Sequence, residues 1–121
     1  MFKIHMGVPE MKAFWEILKG KVKSDKANKN EIQLYKRIGK AFKFLAVNPQ
    51  HPGLQSHEIG VLSKRYGHKV WQSYLENNTP AAGRIYWVYG PKPQMITVIG
   101  IEPHPEDKQG AYEKITLSEM E

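Results

Sequence analysis

Along the chain, apolar residues first recur at three- and four-residue spacing and later at a spacing near two. Met11, Phe14, Trp15, Leu18 and Val22 fall on one face of a helix that Pro9 suits as a first residue, because proline lacks an N–H that the first turn leaves unbonded anyway. Gly20 is expected to weaken the end of this helix. Ile32, Tyr35, Ile38, Phe42 and Leu45 form a second stripe, with Asn30 placed to cap orphan backbone N–H groups and Gln33 three residues on. Lys36, Lys40 and Lys43 then face water. The second helix has to stop near Asn48, since Pro49 removes a donor and pushes the residue before it out of helical geometry. Between the two helices, Lys19 to Asn30 carries five lysines and reads as a mobile connection.

After Pro49 the texture changes. Pro49 to Leu54 reads as an irregular loop, and beyond it the alternation is that of strands. Lys69 to Leu75 sets Val70 and Gln72 against Trp71 and Ser73; Arg84 to Tyr89 puts Ile85, Trp87 and Tyr89 on one face and Tyr86 and Val88 on the other. Met95 to Ile101 is apolar on both faces apart from Thr97, the pattern of a central strand covered by helices on at least one side. Glu76 to Gly83 and Gly90 to Gln94 have turn chemistry, so Lys69 to Ile101 is expected to be a three-stranded antiparallel meander. Phe2 to Met6 offers an edge strand, and Ala111 to Leu117 a short terminal helix or strand. Two helices followed by strands predict an α+β layer, with the helices packed on a small, mainly antiparallel sheet.

Composition narrows the class. A chain of 121 residues is one domain's worth, so residues 1–121 are read as a single domain. With no cysteine, disulfides, thiolate zinc sites and cysteine nucleophiles are excluded. No apolar run approaches the roughly 18 to 20 residues that cross a bilayer, and the first residues lack the apolar core of a signal peptide, so a cytoplasmic protein with no membrane partner is expected. The net charge of +6 is unevenly spread: residues 1–50 hold eleven bases against four acids, while residues 102–121 hold two against six. Such a basic front suits nucleic acid or an acidic protein, although fifteen lysines to three arginines suits a solvated face as well.

Five segments in order then carry a resemblance. They are Phe44-Leu45-Ala46-Val47-Asn48-Pro49, His51-Pro52-Gly53-Leu54, Val70-Trp71-Gln72-Ser73-Tyr74, Arg84-Ile85-Tyr86-Trp87, and the strand ending Ile101-Glu102-Pro103-His104. Together they resemble the RelE/ParE superfamily of toxins from bacterial toxin-antitoxin pairs. For the RelE-like branch the resemblance implies a toxin that cuts messenger RNA in the ribosome without a metal or any other cofactor. In that chemistry the ribose 2′-hydroxyl attacks the adjacent phosphate, so the site has to remove a proton, stabilise phosphate charge and protonate the leaving oxygen.

By this resemblance Arg84 matches the arginine that stabilises the transition state, and His104 a histidine near the scissile phosphate. Tyr112 is placed to stack on a base or bond the phosphate, and His57 or Glu58 to act as the base that takes the 2′-proton. Lys64, Arg65 and Lys69, with His68 among them, lie just before the meander as a loop cluster that could grip the RNA backbone. His5 and His51 show no metal-ligand spacing with any partner. The implied partners are a cognate acidic antitoxin and, for the nuclease, the ribosome with its mRNA. The strand Val70 to Glu76 lacks the pair of basic residues that RelE-like members carry there. That keeps two alternatives open: a ParE-like, non-enzymatic toxin acting on DNA gyrase, and a scaffold that only binds a partner.

Overall fold

The computed structural model describes residues 1–6, 9–75 and 83–102. In chain order these form β1 (Lys3–His5), α1 (Pro9–Lys23), α2 (Lys29–Val47), a 3-10 turn (Pro52–Leu54), β2 (His57–Glu58), α3 (Gly60–Tyr66), β3 (Trp71–Tyr74), β4 (Arg84–Tyr89) and β5 (Met95–Glu102). The architecture is α+β, with three helices and a five-stranded mixed sheet of order β1-β5-β4-β3-β2 among the described residues. His104, Tyr112, the expected Ala111–Leu117 element and most of the turn between β3 and β4 lie outside the described residues.

The expected meander is present as β3, β4 and β5, antiparallel throughout, with Trp71 opposite Trp87 and Ile85 opposite Ile101. β1 is the expected edge strand and pairs parallel with β5, Ile4 opposite Ile96. β5 is therefore an interior strand, which accounts for its apolar character on both faces. Its polar exception, Thr97, is buried and donates its hydroxyl to the Gly90 carbonyl at 2.9 Å.

Alternation along the strands builds two cores. Ile85 and Trp87 of β4 and Ile96 and Val98 of β5 pack with Leu18 of α1 and Ile38, Ala41 and Leu45 of α2. Tyr86 and Val88 point the other way and pack with Ile99, Val70 and, from the α3 region, Ile59 and Leu62. Two helices thus cover one face of the sheet, and a third helix covers part of the other.

Three local expectations are corrected. α1 continues through Gly20 to Lys23, so only residues 24–28 connect the first two helices, not the whole of Lys19 to Asn30. A mid-helix glycine costs only about 1 kcal/mol, less than the packing of Trp15 on Tyr35 and Phe42 returns along the helix pair. The cap of α2 is Asn28, two residues earlier than expected, closing a reciprocal box with Glu31: Glu31 N–H donates to Asn28 Oδ1 at 2.8 Å and Asn28 N–H to Glu31 Oε1 at 3.0 Å. A glutamate accepts more strongly than Gln33 could, and Lys21 of α1 adds a 2.9 Å contact to Glu31 Oε2. Finally, β2 and α3 occupy residues between the Pro49–Leu54 loop and the meander, where the sequence assigned no element. α3 ends on Gly67 at φ +88°, a left-handed conformation that glycine adopts without strain.

Candidate functional site

The face of the sheet turned away from α1 and α2 carries the strongest group of polar side chains. Arg84 opens β4 opposite Tyr74 of β3, so both project on that face, and the guanidinium carbon lies 4.0 Å from the Tyr74 ring centroid. One row along, Gln72 stands opposite His57 of β2. The His57 and Tyr74 rings are 6.3 Å apart, centroid to centroid. Tyr74 thus stands between the imidazole and the guanidinium, and its ring joins two groups that lie 27 residues apart in the chain.

The backbone places His57 through two devices. Gln55 closes the 3-10 turn in a left-handed conformation at φ +49°, and its carbonyl lies 3.0 Å from His57 Nδ1. A non-glycine residue in that region stores a little strain, which neighbouring contacts have to offset. Ser56 supplies one of them, donating to the Pro49 carbonyl at 2.7 Å and lying 2.6 Å from Ser73 Oγ. The turn itself is braced by His51, whose Nδ1 accepts from Gly53 N–H at 2.9 Å while its ring stacks on Phe44.

Among the sequence-derived candidates, the structure brings together His57 and Arg84. Glu58 is separated from them: its register partner is Trp71, on the opposite face of the sheet. As alternative bases at adjacent positions, only His57 shares the face of Arg84, because successive strand residues alternate. Lys64 and Arg65 form the last turn of α3 and Lys69 precedes β3; all three are exposed. They belong to a short helix and its exit, not to the open loop that the sequence suggested, and basic residues there also complement the helix's carbonyl end. The bond from Val70 N–H to Ser63 Oγ at 2.8 Å fixes this exit against the helix.

Arg84 is only 5% exposed, so its charge is largely withdrawn from water. Low local dielectric strengthens what a guanidinium does to a nearby phosphate, once a phosphate reaches it, and the ring beneath it holds its plane. Two residues of the cluster, Gln72 and Tyr74, were not singled out as site residues from sequence. Their signal was a glutamine at an inward-facing position between Val70 and Tyr74, where an apolar side chain is the ordinary choice. Among the described residues no group of three or more metal-ligating side chains assembles, and no helix is long and apolar enough to cross a membrane. Compared with protein-family models, with curated proteins and with solved structures, the chain shows no match to any of them.

Proposed function

We propose that the chain is a toxin of the RelE/ParE type, of the RelE-like branch, that cuts single-stranded messenger RNA on the ribosome. The observation that carries the reading is the placement of His57 and Arg84 on one sheet face with the Tyr74 ring between them. In the reaction the 2′-oxygen gives up its proton and bonds to phosphorus. The bond to the 5′-oxygen breaks and that oxygen takes up a proton, leaving a cyclic phosphate and a 5′-hydroxyl. His57 is the base for the first proton, and Arg84 neutralises the charge that gathers on the phosphate oxygens. Tyr74, half-buried, holds the guanidinium plane by stacking and offers a ring edge to a splayed base. The basic α1 and α2 surface, with Lys36, Lys40 and Lys43 exposed, is the surface on which an acidic antitoxin would be held.

The burial of Arg84 favours a second reading, a ParE-like toxin or a scaffold that only binds a partner, since an arginine that stays covered never meets a phosphate. Cleavage of mRNA on programmed ribosomes separates the two. The nuclease reading expects wild-type protein to cut in the A-site codon and Arg84→Ala to cut about 100-fold or more slowly, the usual effect of removing one transition-state donor. An intact codon with wild-type protein, or an Arg84→Ala variant that cuts equally well, overturns it. DNA supercoiling arrested by excess protein would then establish the gyrase reading.

A further inference from the structure

His57 Nδ1 lies 3.0 Å from the Gln55 carbonyl oxygen. A carbonyl only accepts, so Nδ1 carries the hydrogen, and in a neutral imidazole Nε2 is then the nitrogen with the lone pair. Nε2 faces the side-chain nitrogen of Gln72 at 3.5 Å. An acceptor on the ring calls for a donor on the amide, so the amide turns its NH2 to the ring and its oxygen away. That oxygen, Oε1, is buried and has no hydrogen-bond partner among the described residues. Gln72 as a whole is 0% exposed and stands on the face that Val70, Tyr86 and Val88 make apolar. For stability alone, methionine or leucine would fill the position and leave no orphaned acceptor.

We infer that Gln72 is a positioning residue: its buried amide and the Gln55 carbonyl together hold His57 as the Nδ1–H tautomer, with the Nε2 lone pair on the sheet face that Arg84 shares. Free histidine favours the opposite, Nε2–H form, so the site holds the ring in a state that it would not adopt unaided. Nε2 is the atom that a base needs bare to take a proton from a hydroxyl. The 3.5 Å contact is long for a hydrogen bond, so a stronger donor such as a ribose hydroxyl displaces it. The orientation of the ring stands on these contacts alone; its use in catalysis rests on the nuclease reading above.

The tautomer is read directly from the ring nitrogens of the full chain labelled with 15N, in long-range proton–nitrogen correlation spectra at a pH where imidazoles are neutral. His57→Gln identifies the His57 signals among those of the five histidines. Wild-type protein is expected to show a protonated Nδ1 and a bare Nε2. Gln72→Met is expected to move the ring toward the Nε2–H form and to slow cleavage on ribosomes about tenfold. Gln72→Glu, whose carboxylate only accepts, is expected to place a proton on Nε2 while Nδ1 keeps its own, so that both ring nitrogens read as protonated. A wild-type ring that is already Nε2–H overturns the inference, as does a Gln72→Met spectrum unchanged at His57. The wild-type spectrum decides even where a variant folds poorly. The expected tautomer in a protein that cuts no RNA removes the nuclease and keeps the positioning, whereas an Nε2–H ring in a protein that does cut removes only the positioning.

Discussion

The indole nitrogen of Trp87 donates to Ser73 Oγ at 2.7 Å, and this bond gives direction to a buried chain of hydroxyls. Because the Ser73 oxygen accepts from the indole and Ser56 donates to the Pro49 carbonyl, the Ser73 hydroxyl points its own hydrogen at Ser56. Every member has a defined role, and the chain links the middle of the sheet to the residue just before His57.

Removing the middle of that chain is therefore expected to cost more than removing its end. Ser73→Ala leaves a buried indole N–H without a partner and should lower stability by about 1–3 kcal/mol, whereas Ser56→Ala, at a half-buried site, should lower it by about 0.5–1.5 kcal/mol. The double variant should fall short of the sum, because both substitutions break the same bond. Urea unfolding of the three variants measures all of this. A Ser73→Ala protein as stable as wild type would contradict the assignment.

The stacking of Arg84 on Tyr74 makes a different demand. Tyr74→Phe keeps a ring face under the guanidinium and is expected to change stability little, while Tyr74→Leu removes it and should cost about 0.5–2 kcal/mol. Arg84→Lys should not rescue activity, since an ammonium offers neither the plane that stacks nor the fork that grips two phosphate oxygens. Toxicity on induced expression, read beside thermal unfolding, tells loss of function from loss of fold.

The capping box at the start of α2 predicts a dependence on pH. The Asn28 backbone N–H, and after it the Lys21 ammonium, hold the Glu31 carboxyl below its ordinary value of 4.5. A carboxyl depressed in the folded state stabilises fully above its unfolded value, and that stability is lost as pH falls through the lower folded value. Acid unfolding followed from neutral pH to below 4.5 should thus be steeper for wild type than for Glu31→Gln. At neutral pH, Asn28→Ala should cost about 1 kcal/mol through loss of the side-chain cap.

Lys64 and Lys69 bear on RNA binding by charge alone. If each meets one phosphate, replacing either by alanine lowers the slope of log affinity against log salt by about 0.7 for a single strand. Equilibrium binding of an RNA oligonucleotide at several salt concentrations tests this. An unchanged slope assigns the two lysines to a solvated helix end.

Elements fixed by contacts close in the chain are legible in the sequence, and those fixed by distant contacts are not. Helix α2 was legible because its stripe, Ile38 to Leu45, and its stop at Pro49 are local, and β4 was legible to the residue because four of its six side chains, Ile85 to Val88, alternate between two cores. Asn28 and Asn30 each stand three residues before a Glu or Gln, and what separates them is the stronger acceptor at Glu31 together with the contact it receives from Lys21 on another helix. α3 was overlooked because seven residues give the helical period too few repeats, although Ile59, Leu62 and Tyr66 do mark one face.

The same distinction runs through the site. Sequence by itself determined the residue types, an arginine at the head of an aromatic strand and a histidine–glutamate pair after a proline-rich turn, together with the alternation that sends neighbouring side chains to opposite faces. Only the tertiary structure decided which neighbour counts. The register of β2 on β3 puts His57 beside Gln72 and sends Glu58 to the other face, and the register of β3 on β4 slides Tyr74 under Arg84. Strand pairing is a long-range choice, set by packing on both faces of the sheet at once, and a shift of one residue would exchange every one of these partners.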